Sequence, residues 1–335
     1  MDAVRARAEA VVGATPHDVV VRYNKLRVFH YHQAQLRYAT PLLLVPALIS
    51  PSYILDLHPG GSFVEFLIAH GYDVYLLDWG YPGDEDVNVG LEDLLGEYLP
   101  RAIAGVRECS GSQALTLFGY CMGGTLLTTY AALHRWAAPN NLVALAAPID
   151  FSLGGVLTTW CSRQHCDIDS ILEVFGNVPA PLIEAVFRTI KPTASLAAAL
   201  AYTKSGGEKG FDAAFFAMDR WVHEFFPFPG TAARQWIRWF YQENRLVEGR
   251  LILFGQNVDL GAITAPVLAV AASSDHIAPP AAVAALLDQV GSSDKRLLAI
   301  KGGHVGIVAG RSARNTLWPA VEAWLREHTQ RGSDD

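Results

Sequence analysis

The segment 119–123, which reads Gly-Tyr-Cys-Met-Gly, constrains the fold more than any other part of the 335-residue sequence. It follows a short apolar run at 114–118, which is typical of a buried strand, and precedes a helix-like stretch at 124–136. A reactive side chain between two glycines at such a junction indicates a sharp turn that lifts the side chain above a sheet. The sequence therefore predicts Cys121 as a nucleophile at the positive end of a helix dipole.

Strand-like and helix-like segments alternate on both sides of this turn, which favours a parallel sheet covered by helices. The first 35 residues look helical at first and then polar, so the first predicted strand is 42–45. The other predicted strands are 73–77, 142–147, 267–271 and 297–300, and the predicted helices are 63–70, 91–108, 281–290 and 316–328.

The character of the sequence changes after residue 150. Residues 151–250 contain helical patterns and aromatic clusters but no strand-like run. We therefore predict an α/β-hydrolase fold with a mostly parallel central sheet and an inserted helical cap. Residues 1–150 and 251–335 would form the core, and residues 151–250 the cap.

Composition excludes several classes of function. The net charge of −7 argues against a general nucleic-acid binder, and four cysteines without a regular framework indicate a reducing compartment. Residues 1–14 lack the apolar segment of a signal peptide, and the longest apolar run, 41–54, is broken by two prolines. A cytoplasmic protein without a transmembrane segment is expected.

Two further residues complete a catalytic pattern with Cys121. In this fold the nucleophile is followed by an acid beyond a late strand and by a histidine beyond the last strand. Asp275 follows the predicted strand 267–271, and His304 follows the predicted strand 297–300. Each residue alone has a plainer interpretation, as a core cysteine, a turn aspartate or a loop histidine, but the ordered set favours a triad.

Several segments together resemble polyhydroxyalkanoate (PHA) synthases, and the resemblance extends from about residue 20 to residue 325. These segments are Tyr53-Ile54-Leu55-Asp56-Leu57, Val74-Tyr75-Leu76-Leu77-Asp78-Trp79-Gly80, Gly119-Tyr120-Cys121-Met122-Gly123-Gly124, Phe175-Gly176-Asn177-Val178-Pro179, Gln242-Glu243-Asn244-Arg245-Leu246, Ser274-Asp275-His276-Ile277-Ala278-Pro279-Pro280 and Gly303-His304-Val305-Gly306. The short length is similar to that of the synthases that work with a second subunit.

The resemblance implies roles for particular residues. It implies Cys121 as nucleophile, His304 as general base and Asp275 as the partner of His304. Met122 is expected to donate its backbone N–H to the oxyanion, and by similarity Ile49 supplies a second donor. His276 is expected either to tune the site or to make a structural hydrogen bond.

The resemblance also implies an activity and partners. The expected reaction polymerises (R)-3-hydroxyacyl-CoA, with 3-hydroxybutyryl-CoA as the expected short-chain substrate, into polyester and releases CoA as a leaving group. A homodimer, a second synthase subunit, the growing polyester chain and the surface of a cytoplasmic granule are the expected partners. No cofactor and no metal are expected, because Cys161, His165 and Cys166 lack a fourth ligand at familiar spacing.

Chemistry gives a reason for cysteine at the turn. A thiol that attacks a thioester forms another thioester, so the acyl group stays activated, and a thiolate is a strong nucleophile near neutral pH. The alternative function is a cysteine-dependent thioesterase or ester hydrolase, which would release free hydroxy acid, and a non-catalytic scaffold is a third. Either His304 or, more directly, Asp275 activates the attacking hydroxyl.

Two sets of residues in the predicted cap each allow more than one interpretation. The CoA phosphates need cations at the entrance, and Arg163, Arg188, Arg234 and Arg238 are the candidates. The aromatic residues of the cap form either a buried helix face or a contact surface for a second copy, a lid or the polyester; they are Phe211, Phe215, Phe216, Trp221, Phe225, Phe226, Phe228, Trp236, Trp239, Phe240 and Tyr241.

Overall fold

A computed structural model describes residues 10–33, 35–190, 200, 202–205 and 210–329. Its main feature is an eight-stranded sheet in the order β1-β2-β4-β3-β5-β6-β9-β10. The strands are β1 (His17–Tyr23), β2 (Leu26–Tyr31), β3 (Leu42–Val45), β4 (Val74–Asp78), β5 (Thr116–Tyr120), β6 (Asn141–Leu145), β9 (Val267–Ala272) and β10 (Lys295–Ile300). All strands from β4 to β10 in this order are parallel neighbours, so their carboxyl ends meet at one edge.

Helices cover both faces of the sheet and fill the region between β6 and β9. They are α1 (Phe63–Ala69), α2 (Leu99–Ser110), α3 (Met122–Leu133), α4 (Val156–Cys161), α5 (Ile168–Phe175), α6 (Ala180–Ile190), α7 (Phe211–Val222), α8 (Gly230–Gln235), α9 (Pro280–Gln289), α10 (Gly306–Ala309) and α11 (Leu317–His328). Residues 91–108 were predicted as one helix, but a π-helical turn at Leu94–Tyr98 precedes α2.

The sequence predicts no strand in the first 35 residues, which is wrong for residues 17–31, whereas the helix-like start falls mainly on residues 1–9, outside the described residues. Residues 17–31 form the antiparallel hairpin β1–β2, which extends the sheet beyond β4. A two-residue turn at Asn24 and Lys25 closes the hairpin, and Asn24 adopts a positive φ of 51°. Both strands expose one face and carry charged and histidine side chains, so they lack the continuous apolar run by which the buried strands are identified.

The boundaries of the other predicted elements are close to those observed. The helix behind the turn starts at Met122, two residues earlier than predicted, because the carbonyl of Cys121 already accepts hydrogen bonds from the N–H groups of Gly124 and Thr125. The alternation of parallel strands and helices is confirmed. Two hydrophobic clusters of buried side chains lie on opposite faces of the sheet, and Cys121 packs against both.

The described residues between β6 and the short hairpin β7 (Ile252–Leu253) and β8 (Gln256–Asn257) are mostly helical. The π-helical segment Trp236–Gln242 continues α8, and a single bridge joins Val178 and Phe228. Two contacts join this region to the loop after β3: the indole N–H of Trp221 donates to the Pro51 carbonyl at 3.0 Å, and Phe226 N–H donates to the Ile49 carbonyl at 2.9 Å. The division into core and cap stays a prediction.

The aromatic residues of this region differ in burial. Trp221, Phe228, Trp236 and Phe240 are buried, which fits the interpretation as a packed helix face. Phe211, Phe215 and Phe216 are half-buried and retain surface that other groups could contact. Among the described residues, no helix combines the length and the apolar character needed to cross a bilayer.

Candidate active site

Cys121 lies on a strained turn between β5 and α3. Its backbone has φ 55° and ψ −125°, a conformation that non-glycine residues rarely adopt, and its N–H donates to the Leu145 carbonyl at 2.9 Å. The turn is tight because glycines flank it. A Cβ at Gly119 would collide with the backbone of Gly124, and a Cβ at Gly123 would collide with the Val45 and Pro46 carbonyls.

The contact at Gly123 leads to a stability prediction. We expect Gly123→Ala to lower the free energy of unfolding by about 2–3 kcal/mol, because backbone carbonyls cannot move aside as flexible side chains do. Gly306→Ala is the matched control, since a Cβ at Gly306 meets no atom within 4 Å. Chemical denaturation of both variants measures the effect, and equal stability of the two would contradict the packing argument.

The structure brings His304 and Asp275 together at the same edge of the sheet. The Nδ1 atom of His304 lies 2.7 Å from Asp275 Oδ2, and both side chains are buried. Asp275 Oδ1 accepts hydrogen bonds from the N–H groups of Ile277 and Ala278 at 2.8 and 2.9 Å. Both carboxylate oxygens are therefore occupied, and the aspartate is fixed by its own loop.

The electrostatics of His304 depend on Cys121. Burial alone would lower the pKa of His304, but the negative charge of a Cys121 thiolate and the hydrogen bond with Asp275 outweigh burial and raise the pKa to about 10. A thiolate and an imidazolium in this arrangement stabilise each other. In the predicted triad, His304 therefore contacts Asp275, and Cys121 lies close enough for its charge to act on His304.

Of the two predicted oxyanion donors, Met122 directly follows the turn, and Ile49 lies in a loop whose start packs against it. Met122 is the first residue of α3, where backbone N–H groups are not used within the helix. Ile49 lies in the loop after β3, and its carbonyl holds the Phe226 N–H. Gly123 packs directly on the carbonyls of Val45 and Pro46, which places the start of this loop against the start of α3.

Other residues singled out in the sequence have plainer surroundings. His276 is exposed on the loop after Asp275. Asp78 accepts hydrogen bonds from Gly80 N–H and from Arg27, so it stabilises its own loop. Within the described part of the chain, no group of three or more His, Cys, Asp or Glu side chains is placed to hold a metal ion.

The four arginines predicted to meet CoA are all engaged with carboxylates. Arg163 pairs with Glu243 and Arg188 with Glu184. Asp169 holds both remaining arginines, Arg234 and Arg238. The positive charge of each is locally compensated, so none offers an uncommitted cation.

Sequence reasoning overlooked Tyr120, the residue before the nucleophile. Its hydroxyl donates to the His304 carbonyl at 3.3 Å, and the two rings lie 5.3 Å apart between centroids. Burial, together with the charges of Cys121 and Asp275, raises the pKa of Tyr120 well above its usual range, so the hydroxyl stays protonated as a donor. The apolar run of β5 predicts only a buried residue here, because the partner is 184 residues away.

Family comparisons agree with this geometry. A family model described as alpha/beta hydrolase fold matches residues 40–159, and one for the N-terminus of poly-beta-hydroxybutyrate polymerase (PhaC) matches residues 7–67. Among solved structures, a soluble variant of the monoglyceride lipase of Saccharomyces cerevisiae has a TM-score of 0.56 at 15% identity, covering 96% of this chain and 97% of the other. The fold and the site define an α/β-hydrolase-fold protein with cysteine at the nucleophile turn.

Curated relatives identify the family. The poly(3-hydroxyalkanoate) polymerase subunit PhaC of Haloferax mediterranei is 35% identical, covering 100% of this chain and 68% of that protein. The corresponding subunit of Allochromatium vinosum is also 35% identical, covering 96% of this chain and 91% of that protein. The chain belongs to the poly(3-hydroxyalkanoate) polymerases, or PHA synthases, which are acyltransferases.

Proposed function

We propose that this chain polymerises (R)-3-hydroxyacyl-CoA into polyester through a covalent thioester on Cys121, with 3-hydroxybutyryl-CoA as its short-chain substrate. The main observation behind this proposal is the position of Cys121 on the strained turn, close enough to His304 for their charges to interact. The buried Asp275 orients His304. The family membership supports the same reaction. CoA is the leaving group of the substrate, and no cofactor is proposed.

In the first half-reaction, His304 accepts the thiol proton and the Cys121 sulfur attacks the thioester carbonyl. The N–H groups of Met122 and Ile49 stabilise the oxyanion, and collapse of the intermediate expels the CoA thiolate, which takes the proton from His304. The carbonyl carbon exchanges one C–S bond for another. The acyl group therefore remains reactive on the enzyme.

In the second half-reaction, the hydroxyl at the end of a bound chain attacks the carbonyl of the Cys121 thioester and forms an oxygen ester. The C–S bond breaks, so Cys121 leaves as a thiolate and takes back a proton from His304. The proton of the attacking hydroxyl needs a base. Because both oxygens of Asp275 are occupied and its side chain is fully buried, His304 is the group with a free ring nitrogen for this step. We therefore assign activation of the hydroxyl to His304 and orientation to Asp275, and give His276 no direct chemical part.

The assembly is part of the proposal. The relatives are named as polymerase subunits, which supports a second subunit, and we propose a homodimer that works at the surface of a cytoplasmic polyester granule. Excluding water favours transfer to a hydroxyl over hydrolysis of the acyl-enzyme. The buried aromatic residues of the predicted cap support this exclusion.

The test is an assay of products. The chain is incubated with (R)-3-hydroxybutyryl-CoA, with and without a second synthase subunit, and CoA release and polymer are both measured. CoA release with polymer supports the proposal. CoA release with free hydroxy acid would replace it with the thioesterase function, and no release in any combination would overturn both.

The ion pair predicts the reactivity of Cys121 toward alkylation. Because the pKa of His304 is raised from 6.5 to about 10, the imidazolium keeps its proton between these values and loses it above about pH 10. We expect this positive charge beside Cys121 to speed the alkylation of Cys121 by iodoacetamide. His304→Gln should slow alkylation at pH 7 by about tenfold or more, and an unchanged rate would refute the ion pair.

Tyr120 is proposed as a positioning residue for His304. Tyr120→Phe removes the hydrogen bond to the His304 carbonyl, and we expect kcat to fall about five- to tenfold with a shifted pH profile, because a lost hydrogen bond costs about 1 kcal/mol. Tyr72→Phe is the control, since the buried Tyr72 hydroxyl donates to the Glu322 carbonyl away from the triad. Similar pH profiles for the two variants would contradict a role through His304.

A further inference from the structure

Most of the positive charge in the predicted cap is neutralised by ion pairs. Seven arginines there pair with carboxylates of the described residues: Arg163, Arg188, Arg220, Arg234, Arg238, Arg245 and Arg250. A cation that binds a phosphate must be free of such a partner or must exchange it at a cost. The cations that lack a carboxylate partner among the described residues are therefore the candidates for binding phosphate.

Two such cations follow the catalytic histidine closely. Arg311 and Arg314 lie just beyond α10, the short helix that begins two residues after His304, and both side chains are exposed. Neither makes an ion pair with a described carboxylate within 4.0 Å. Instead, the Arg311 guanidinium lies 4.3 Å from the centroid of the Phe211 ring, and Arg314 lies 5.8 Å from the Trp318 ring. Their charge faces solvent.

Phe211 belongs to a cluster of half-buried rings that we call the aromatic platform. Its members are Tyr202, Phe211 and Phe215, with centroid distances of 6.2 Å from Tyr202 to Phe211 and 4.8 Å from Tyr202 to Phe215. Lys204, also exposed and without a described carboxylate partner, lies two residues beyond Tyr202. Asp212, an acidic residue in the first turn of α7, is already engaged in another interaction. A half-buried aromatic surface with exposed cations nearby suits a purine ring that carries phosphates.

The platform is linked to the candidate active site by α7. The opposite end of this helix is held at the loop after β3, where Trp221 donates to the Pro51 carbonyl. Ten residues separate Phe211 from Trp221, which corresponds to about 15 Å along the helix axis. Met218 of α7 packs on the same hydrophobic cluster as Cys121 and Val305.

A CoA thioester is an extended molecule that can run along α7 from the cluster that includes Cys121 to the aromatic platform. The reacting carbonyl must lie at Cys121, while the adenine and the phosphates lie at the far end of the pantetheine arm. We propose that Arg311, Arg314 and Lys204 bind the phosphates of the CoA substrate and that the aromatic platform stacks on its adenine. This site rests on the proposed function, because it needs a CoA thioester as substrate.

The test compares two substrates that share the acyl group. One is 3-hydroxybutyryl-CoA, and the other is 3-hydroxybutyryl-N-acetylcysteamine, which lacks the nucleotide. In the double variant Arg311→Gln with Arg314→Gln, we expect KM for the CoA substrate to rise about tenfold or more, with kcat nearly unchanged, because charge-assisted contacts to phosphate are lost. KM for the truncated substrate should not change.

Arg326→Gln is the matched control, since Arg326 is an exposed cation near the end of α11, and it should leave both KM values unchanged. Thermal melting checks that the double variant is folded. An equal change in KM for both substrates, or no change for either, would overturn the proposed site.

A binding measurement separates this site from the chemistry. The nucleotide portion of CoA, 3′-phosphoadenosine 5′-diphosphate, is titrated calorimetrically into the wild-type chain and into the double variant. We expect binding to the wild type and a loss of about tenfold or more in the variant. Failure of the wild type to turn over either thioester would refute the proposed function, whereas wild-type turnover with unaltered nucleotide binding in the variant would refute the site alone.

Discussion

Cys121→Ala should lower the rate of CoA release from 3-hydroxybutyryl-CoA by at least about 10⁴-fold, because removal of a nucleophile leaves only binding and oxyanion stabilisation. Polymer should not form. Cys121→Ser should be severely impaired, since an oxygen ester on the enzyme spends the activation of the thioester in the first step. Release of CoA is the measured quantity.

The control for the Cys121 variants is Cys109→Ala. Cys109 is an exposed thiol that faces His30 at 3.9 Å, and its removal should leave the rate unchanged. A Cys121→Ala variant that is folded and still releases CoA at more than a few per cent of the wild-type rate would show that no covalent intermediate forms on this sulfur.

Asp275→Asn should lower kcat by about 10⁴-fold through the wrong imidazole tautomer. The Oδ1 position is held by the Ile277 and Ala278 N–H groups, so the new amide nitrogen would face His304 Nδ1. An amide N–H is a donor, which forces Nδ1 to be an acceptor and moves the ring proton to Nε2. In that tautomer His304 cannot take the proton of the thiol.

Asp259→Asn provides the comparison for Asp275→Asn. Asp259 also accepts a hydrogen bond from the N–H two residues later, that of Gly261, but it is exposed and pairs with Arg135. We expect its substitution to leave kcat unchanged. A loss of less than tenfold in Asp275→Asn would show that the carboxylate does not set the tautomer of His304.

The sequence predicts the central sheet well because its buried strands are encoded locally, and the proposed triad residues follow from the same strand ends. Each of β3, β5 and β6 is a fully buried apolar run, and glycines mark the turn at Cys121. The order of nucleophile, acid and histidine then follows from where the strands end. The sequence does not predict β1 and β2, because their exposed faces carry charged and histidine side chains and so interrupt the apolar run.

Features that depend on tertiary contacts could not be predicted. The support that Tyr120 gives to His304 joins residues 184 positions apart. The arginines proposed for CoA look available in the sequence, but Asp169, which is 65 residues from Arg234, compensates two of them. The sequence shows which residues are charged, but only the folded structure shows which of these charges are already paired.

The hydrogen bond between the Phe226 N–H and the Ile49 carbonyl ties the predicted cap to the loop after β3. Ile49 carries one of the two proposed oxyanion donors, so any displacement of Phe226 would also free the backbone of that donor. Substitutions that shift the segment around Phe226 should therefore change the rate of acyl transfer as well as the exclusion of water.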